Sequence, residues 1–246
     1  DQPQALYASI AINEPTPLFN PNKLLTSATP TDDGYKLNGK KTAVTIGDKA
    51  DFLLVAATTP NGQQKLFIVN SALKGISIKH SHNMGLKAAE LCSIDFDDVQ
   101  LPEDALLGDG RFCYQTFIDL ANLAWCGLAV GCAQAIQDYV VNYCNERTAF
   151  GEPISHRQSV AFMIANIGIE LESMRLLTYR AASRAEQGLP FHREAYLAKI
   201  LCSDKAMDIG TNGVQLLGGH GFIKDHPVER WYRDMRAIAI LYGLHV

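Results

Sequence analysis

The sequence has no block of like charges and no surplus of basic residues. Its 246 residues include 22 lysines and arginines against 26 aspartates and glutamates, which gives a formal net charge of -4. Proteins that bind nucleic acid or an anionic membrane surface through charge usually carry clustered lysine and arginine. We therefore expect no nucleic-acid partner and no electrostatic membrane contact.

Metal-ligand spacing is also missing. None of the six cysteines forms a Cys-x-x-Cys pair, and no histidine stands at zinc-ligand spacing from them. We expect no metal site. We interpret the cysteines as reduced, mostly buried thiols of a reducing compartment.

The first residues include no positively charged segment followed by an apolar run, so they show no signal peptide, and there is no initiator methionine. No apolar stretch looks long and charge-free enough to cross a bilayer, so we expect no membrane span. Because the first strand pattern starts almost at once, we expect the natural protein to extend further at this end.

Residues 1–108 show the short apolar or alternating runs that are typical of β-strands. The predicted strands are Ala8–Ile12, Lys41–Thr45, Phe52–Ala56, Leu66–Val69 and Ser93–Phe96. Turn sequences separate the runs, and Asn38-Gly39 predicts a tight hairpin. Since no helical periodicity of useful length is present, we predict a small β-barrel or sandwich.

From residue 109 onward the pattern changes to the period of amphipathic helices. The predicted helices cover residues 111–146, 157–187, 191–217 and 228–240. Gly188-Leu189-Pro190 ends the second helix, and Gly218-Gly219 ends the third. Long helices joined by short loops indicate a four-helix bundle. We therefore predict an α+β chain, with a β domain over 1–108 and a helical domain over 109–246.

Several motifs carry a more specific signal than the fold. In the helical half they are Arg147-Thr148-Ala149-Phe150-Gly151 with Gln158 shortly after, Gln215–Phe222, and Pro227–Asp234. In the β half they are Asp33–Lys41, Asn83–Leu86 and Phe96–Pro102. In type, order and spacing, these motifs resemble those of the acyl-CoA dehydrogenase family, over nearly the whole chain. The resemblance implies an N-terminal helical domain before this chain and a further helix after it.

The resemblance also implies that FAD is the cofactor. Six residues of the helical half would hold it: Arg147, Phe150, Gln158, Gln215, Gly218 and Gly219. The arginine would pair with the pyrophosphate, the phenylalanine would pack nearby, and the glutamines would donate hydrogen bonds. The glycines would let the backbone approach the cofactor closely. Taken singly, the arginine could be a charge at a helix end and the glycines a plain C-cap.

The segments that cover the flavin ring in the family differ here. Asn13 stands before Glu14-Pro15 where the family has threonine, and Thr16–Phe19 replaces a small Ala-Gly-Ser stretch. The family's Trp-Ile-Thr becomes Ala43-Val44-Thr45, so Thr45 could still bond the flavin while the indole is lost. We expect FAD binding that is weaker than in the family.

The catalytic carboxylate of the family has no counterpart in this sequence. Tyr242 occupies its usual position, counted from Arg233-Asp234, and the alternative position on the first bundle helix holds Ala121. A phenol with an unperturbed pKa near ~10 is a poor base at neutral pH. Tyr242 is therefore either an unusual catalytic residue or a packing residue.

Two residues on the same helix are the candidates for substrate contact. Asp119 matches a family residue that touches the pantetheine arm of the substrate, and Asn122 replaces a nearby arginine. Asp119 could act as a substitute base, or it could be a helix-surface aspartate in a salt bridge.

Three functions remain open. The first is α,β-dehydrogenation of an acyl-CoA or acyl-carrier thioester with an unusual base, passing electrons to a separate acceptor. The second is a non-catalytic subunit that assembles with an active paralogue, because Tyr242, Ala121, Asn122 and Ala43 all depart from the family. The third, flavin oxygenase chemistry, has no sequence feature in its favour. Since the family's cofactor site spans two subunits, we expect a homo- or hetero-oligomer, dimeric or tetrameric. We expect it in a bacterial cytoplasm or a mitochondrial matrix.

Overall fold

The computed structural model describes residues 6–108 and 112–242. The chain divides into two compact units, Asp1–Ile118 with Leu241–Val246, and Asp119–Ile240. The first unit is centred on a sheet and the second is helical. The first unit extends past residue 108 because Tyr114 and Ile118, at the start of the first long helix, pack in an apolar cluster with Ile12 and Leu66. The predicted boundary between the β domain and the helical domain, at residue 108, stays a prediction.

One seven-stranded mixed sheet builds the first unit. Its strands are β1 (Ala8–Ala11), β2 (Ser27–Thr31), β3 (Gly34–Val44), β4 (Phe52–Thr58), β5 (Gln64–Asn70), β6 (Ile76–His80) and β7 (Cys92–Pro102). The strand order is β1-β4-β2-β3-β7-β6, and β5 pairs with β4. All five predicted strands are confirmed, while β2 and β6 were not predicted. A single curled sheet corresponds to the barrel alternative and not to a two-sheet sandwich.

Strand β4 explains why part of this unit reads as a continuous apolar run. Leu53 and Val55 belong to one apolar cluster, whereas Ala56 belongs to a second one. A strand covered on both faces has no solvent side that would select polar residues.

The predicted hairpin at Asn38-Gly39 is wrong. Both residues lie inside β3, where the register against β7 shifts between Leu37 and Gly39. The Asn38 side chain bonds Asp98 on β7, donating to its Oδ1 at 2.9 Å and accepting from its backbone N at 2.8 Å. The pair therefore forms a β-bulge, which uses the same turn-prone residues without reversing the chain.

Four helices build the second unit, as predicted. They are α1 (Tyr114–Glu146), α2 (Gln158–Glu186), α3 (His192–Leu217) and α4 (Val228–Met235). The fourth is shorter than predicted, because a 3-10 turn, Arg236–Ala239, follows it. Four cysteines are buried, Cys132 is half-buried and Cys113 is exposed, and all are free thiols, as predicted.

Among the described helices, α1 is long and apolar enough to cross a membrane by length and composition alone. The prediction that no stretch would qualify is therefore wrong. One face of α1, with Cys126, Ala133 and Ile136, is fully buried in the core of the helical unit. Core helices pass the same test, and we interpret α1 as one of them.

Candidate functional site

The end of α1 presents Arg147 and Phe150 on a tight hairpin. Strands β8 (Thr148–Ala149) and β9 (Glu152–Pro153) flank the turn, whose central residues Phe150 and Gly151 have φ of 57° and 88°. Positive φ at both positions is the type I′ geometry. Phe150 is 93% exposed, and the Arg157 guanidinium lies over its ring at 4.8 Å. The Arg147 side chain is exposed and makes no hydrogen bond or ion pair within the described residues.

Tyr143 connects this hairpin with the double-glycine motif. Its backbone oxygen accepts a hydrogen bond from Arg147 N at 2.8 Å. Its hydroxyl lies 3.3 Å from Leu217 O and 2.8 Å from His220 Nδ1. The first and second motifs, distant in sequence, therefore meet at one end of the helical unit.

The glycines of the second motif occur at positions with different structural requirements. Gly218 is the C-cap of α3, with φ 56° and ψ −129°. This backbone conformation favours glycine, so the interpretation of Gly218 as a helix cap explains its conformation. A Cβ on Gly218 or Gly219 would meet nothing within 4 Å, whereas a Cβ on Gly221 would lie 2.3 Å from Val214 O. Gly221 is required for packing, and the other two leave open space. Gln158 and Gln215, the remaining predicted FAD residues of this half, are both exposed.

A cluster of two tyrosines and two histidines beside this site was not predicted. Tyr139 contacts His226 Nδ1 at 2.6 Å, as Tyr143 contacts His220. The two imidazoles stack with centroids 5.1 Å apart. Tyrosines four residues apart share one helix face, and that spacing was the available sequence signal. The cluster holds the loop before α4 against α1.

In the first unit, Thr45 follows β3 and is half-buried. Ser9 Oγ donates to Thr45 O at 2.5 Å and lies 3.4 Å from Thr45 Oγ1. Ala43, at the family's tryptophan position, has φ 52°, in the left-handed region.

Glu14 and Lys41 form a buried ion pair beneath this segment. Lys41 Nζ lies 2.9 Å from Glu14 Oε1, and also donates to Ile12 O at 3.1 Å. The carboxylate accepts from Leu25 N at 2.7 Å and Thr26 N at 2.9 Å. Burial by itself raises the pKa of Glu14, but Lys41 and these hydrogen bonds outweigh it and leave that pKa below its usual value. Glu14 is a structural anchor rather than a free acid.

Tyr242 lies half-buried in the first unit. Its ring packs against an apolar cluster that includes Ile12, Phe19 and Leu24, and its backbone has φ 61°. Tyr242 N donates to Asn13 Oδ1 at 2.8 Å, across 229 residues of sequence. Two positions that depart from the family pattern are therefore in direct contact. The packing supports the structural reading of Tyr242, and a catalytic role stays a prediction.

Asp119 pairs with a basic side chain, as one of the two interpretations expected, but it is buried and not on the helix surface. It is only 4% exposed, and both carboxylate oxygens lie 3.0 Å from His192 Nδ1 at the start of α3. Asn122, one turn later on α1, has a buried Oδ1 with no hydrogen-bond partner in the described part of the chain. His192 was not predicted as a site residue, because its neighbour on α1 is 73 residues away in sequence.

Comparisons with known proteins agree over most of the chain. The family described as "Acyl-CoA dehydrogenase, middle domain" matches residues 9–99, and "Acyl-CoA dehydrogenase, C-terminal domain" matches residues 108–245. The mitochondrial short-chain specific acyl-CoA dehydrogenase of Mus musculus is 33% identical over 242 residues, which cover 95% of this chain and 58% of that protein.

Solved structures show the same fold. Butyryl-CoA dehydrogenase from Megasphaera elsdenii matches with TM-score 0.86 and 31% identity, over 96% of this chain and 64% of that one. The FAD complex of PigA matches with TM-score 0.88 and 25% identity, over 97% of this chain and 64% of that one. The chain spans less than two thirds of the length of each of these three proteins.

Proposed function

The chain belongs to the acyl-CoA dehydrogenase family, and on that premise we propose that the whole protein is a FAD-binding oxidoreductase that removes hydrogen from the α and β carbons of an acyl thioester. One observation carries the proposal. At one end of the helical unit, Tyr143 brings the exposed Arg147 together with the open double-glycine segment that begins at Gly218.

The donor set in this place fits the pyrophosphate of FAD. A diphosphate needs a cation and N–H donors, and Arg147 has no acidic partner among the described residues that would neutralise it. The open space above Gly218 and Gly219 is the space that a Cβ would fill. Gln158, Gln215 and Phe150 would complete the site from their exposed positions. Thr45, in the first unit, is a separate proposal for a flavin contact.

When bound, FAD would supply a ring that accepts the β-hydrogen of the substrate as hydride. The chain itself must bind the thioester, exclude water and accept the α-proton. Asp119 and Asn122 would contact the pantetheine arm. Tyr242, at the family's carboxylate position, remains the proposed but unusual base, since a half-buried phenol packed among apolar side chains is poorly suited to the proton transfer.

A second function, that of a non-catalytic subunit, is supported by the packing of Tyr242. The contact between Asn13 and Tyr242 ties the usual carboxylate position into the packing of the sheet unit. In that case the protein would bind FAD or a paralogue without turning over a thioester.

The partners that we propose are an acyl-CoA or acyl-carrier thioester, further subunits in a homo- or hetero-oligomer, and a separate electron acceptor. We propose no nucleic-acid partner. The mouse relative is named as mitochondrial, and for this protein a mitochondrial matrix and a bacterial cytoplasm both remain proposals.

The decisive measurement is the visible spectrum of the natural full-length protein, before and after anaerobic addition of acyl-CoA thioesters. Bleaching of the oxidised flavin band is the expected result. A colourless protein would contradict FAD binding. A yellow protein that no thioester bleaches would contradict dehydrogenation and support the non-catalytic subunit.

Replacing Arg147 with glutamine is expected to weaken FAD binding by about 10- to 100-fold, since a hydrogen bond to a charged group contributes about 1.5–3 kcal/mol. FAD titration followed by flavin fluorescence measures the affinity. The matched control is Arg180→Gln, an exposed arginine on α2, which should leave both affinity and folding unchanged. Equal FAD affinity for Arg147→Gln and Arg180→Gln would exclude Arg147 from the cofactor site.

A further inference from the structure

Two imidazoles lie nearly parallel at the end of the helical unit that carries the double glycine. His220 follows Gly219 directly, and His226 lies in the loop before α4. Their rings stack with centroids 5.1 Å apart and an angle of 19° between the planes. Two tyrosines one turn apart on α1 hold the rings: Tyr139 Oη lies 2.6 Å from His226 Nδ1, and Tyr143 Oη lies 2.8 Å from His220 Nδ1.

The second nitrogen of each ring, Nε2, is open. Neither Nε2 atom makes a hydrogen bond to the described residues. Enclosed side-chain nitrogens and oxygens without a partner occur in that part of the chain at Asn122 and Gln137, so both Nε2 atoms reach solvent. Because both Nδ1 atoms face α1, the two Nε2 atoms lie side by side on the opposite edge of the stacked rings.

The surroundings of the rings favour an anion as the ligand. Within residues 6–108 and 112–242 no carboxylate lies at ion-pair distance from either ring, whereas His156 and His192 each face one. Burial raises the pKa of the Tyr143 hydroxyl, and the nearby positive charge of Arg147 partly offsets that rise. Nearly parallel rings also keep the two Nε2 lone pairs from converging on one zinc ion, which binds imidazole nitrogens at about 2.0–2.1 Å.

The tyrosine contacts are compatible with a hydrogen on Nε2. Tyr143 Oη donates to Leu217 O at 3.3 Å and can at the same time accept from Nδ1 of a protonated His220. The same hydroxyl can instead donate to Nδ1 of the neutral ring, which places the single ring hydrogen on Nε2. An anion at Nε2 selects these two states over the third, in which Nδ1 carries the only hydrogen.

We propose that His220 and His226 are two further ligands of the FAD diphosphate, to which they donate from Nε2 beside Arg147 and the double glycine. The inference rests on the proposed function, in which this end of the helical unit holds the cofactor. Two donors side by side can each face one phosphate group of a diphosphate, and hydrogen bonds to an ionised acceptor are stronger than those between neutral groups. The two tyrosines act as positioning residues for the rings.

The test uses two amide side chains that each reproduce one edge of the imidazole. Glutamine can place its amide N–H near the Nε2 position, whereas the shorter asparagine can place its amide near Nδ1 and keep the tyrosine contact. His226→Asn is expected to weaken FAD binding about 10-fold, the effect of one hydrogen bond to a charged group. His226→Gln should retain most of the affinity. Titration of the natural full-length apoprotein with FAD, followed by flavin fluorescence, measures both variants.

The corresponding variants of His220 should behave in the same way, and His82→Asn is the matched control. His82 is exposed and also contacts another imidazole, that of His80, with ring centroids 5.3 Å apart. It belongs to the sheet unit and to none of the proposed cofactor positions. Its replacement should change FAD affinity by less than about two-fold, because substitutions at exposed positions away from a site have small effects.

The outcomes distinguish a ligand role from a structural role. A purely structural role predicts the opposite order, with affinity kept in His226→Asn and lost in His226→Gln, and that order would overturn the proposal. FAD affinity that falls in Arg147→Gln but stays at the wild-type level in the asparagine variants of both histidines would also overturn it, and would leave the proposed function standing.

Coenzyme A also carries a diphosphate, so its binding is measured with the FAD-loaded protein. Weaker binding of CoA to the asparagine variants, with FAD affinity unchanged, would overturn the assignment of the two rings to the cofactor. A wild-type protein that binds no FAD would overturn both the inference and the proposed function. Weaker FAD binding in the asparagine variants, with affinity retained in the glutamine variants and in His82→Asn, would establish the two histidines as ligands.

Discussion

Replacing Glu14 with glutamine is expected to destabilise the first unit by about 3–5 kcal/mol, the range for breaking a buried ion pair from one side. Lys41, itself fully buried, would lose its charged partner. Glutamine also offers a single acceptor oxygen, whereas the carboxylate accepts from the backbone N of Leu25 and of Thr26 as well as from Lys41. Urea unfolding, read through hydrogen exchange of the β3 and β4 amides, reports on this unit.

The pH dependence provides a second readout for Glu14. Its folded-state pKa lies below the ordinary value of 4.5, so the unfolded chain binds the proton more tightly. The stabilisation from this group is therefore present above the unfolded-state pKa and is lost as the pH falls through the folded-state pKa. That part of the acid sensitivity should be missing in Glu14→Gln.

Asp95→Asn is the matched control for the buried pair. Asp95 on β7 pairs with Lys40 on β3 at 3.0 Å, but both side chains are more than one third exposed. Its loss should cost no more than about 1 kcal/mol. A similar small effect for Glu14→Gln and Asp95→Asn would contradict the buried, fully bonded environment of Glu14.

Replacing Gly221 with alanine is expected to destabilise the helical unit by about 3 kcal/mol, at the upper end of the range for overpacking. The added Cβ would lie 2.3 Å from Val214 O, a backbone atom that cannot move without shifting α3. Because Gly221 follows Gly218 and Gly219 in the same 3-10 turn, FAD binding should be lost as well. Thermal unfolding and flavin content measure the two effects.

Gly219→Ala separates packing from cofactor binding. Its Cβ would meet nothing within 4 Å in this chain, so the apoprotein should keep its stability, while FAD affinity should fall if the cofactor lies against this backbone. If both glycine variants lower the melting temperature equally and spare FAD affinity, the double glycine is a plain helix cap.

The motif spacing was readable from sequence because it depends on short-range geometry. An arginine three residues before a phenylalanine and a double glycine at the end of a helical period were visible without any tertiary information. Local rules also predicted the strand β4 and the break between α2 and α3 at Gly188. They were wrong at Asn38-Gly39, because pairing with β7 decides whether a turn-prone pair bends or bulges a strand.

The environments of Glu14 and Asp119 could not be predicted from the sequence, for a different reason. Glu14 looked like part of a family motif, yet whether a carboxylate is free or anchored depends on which backbone N–H groups surround it. The identity of its partner Lys41, 27 residues away, follows from the path of the sheet. Asp119 likewise looked like a surface acid until α3 brought His192 against it.

The sequence by itself determined the family, the division into strands and helices, and the absence of the usual carboxylate at Tyr242 and Ala121. These are statements about residue type and spacing along the chain. Only the tertiary structure decided that Asn13 holds Tyr242, that Tyr143 joins two motifs, and that Asp119 orients His192. Contacts between residues this far apart are set by how the elements pack, since no local preference records which side chain will come to lie opposite another.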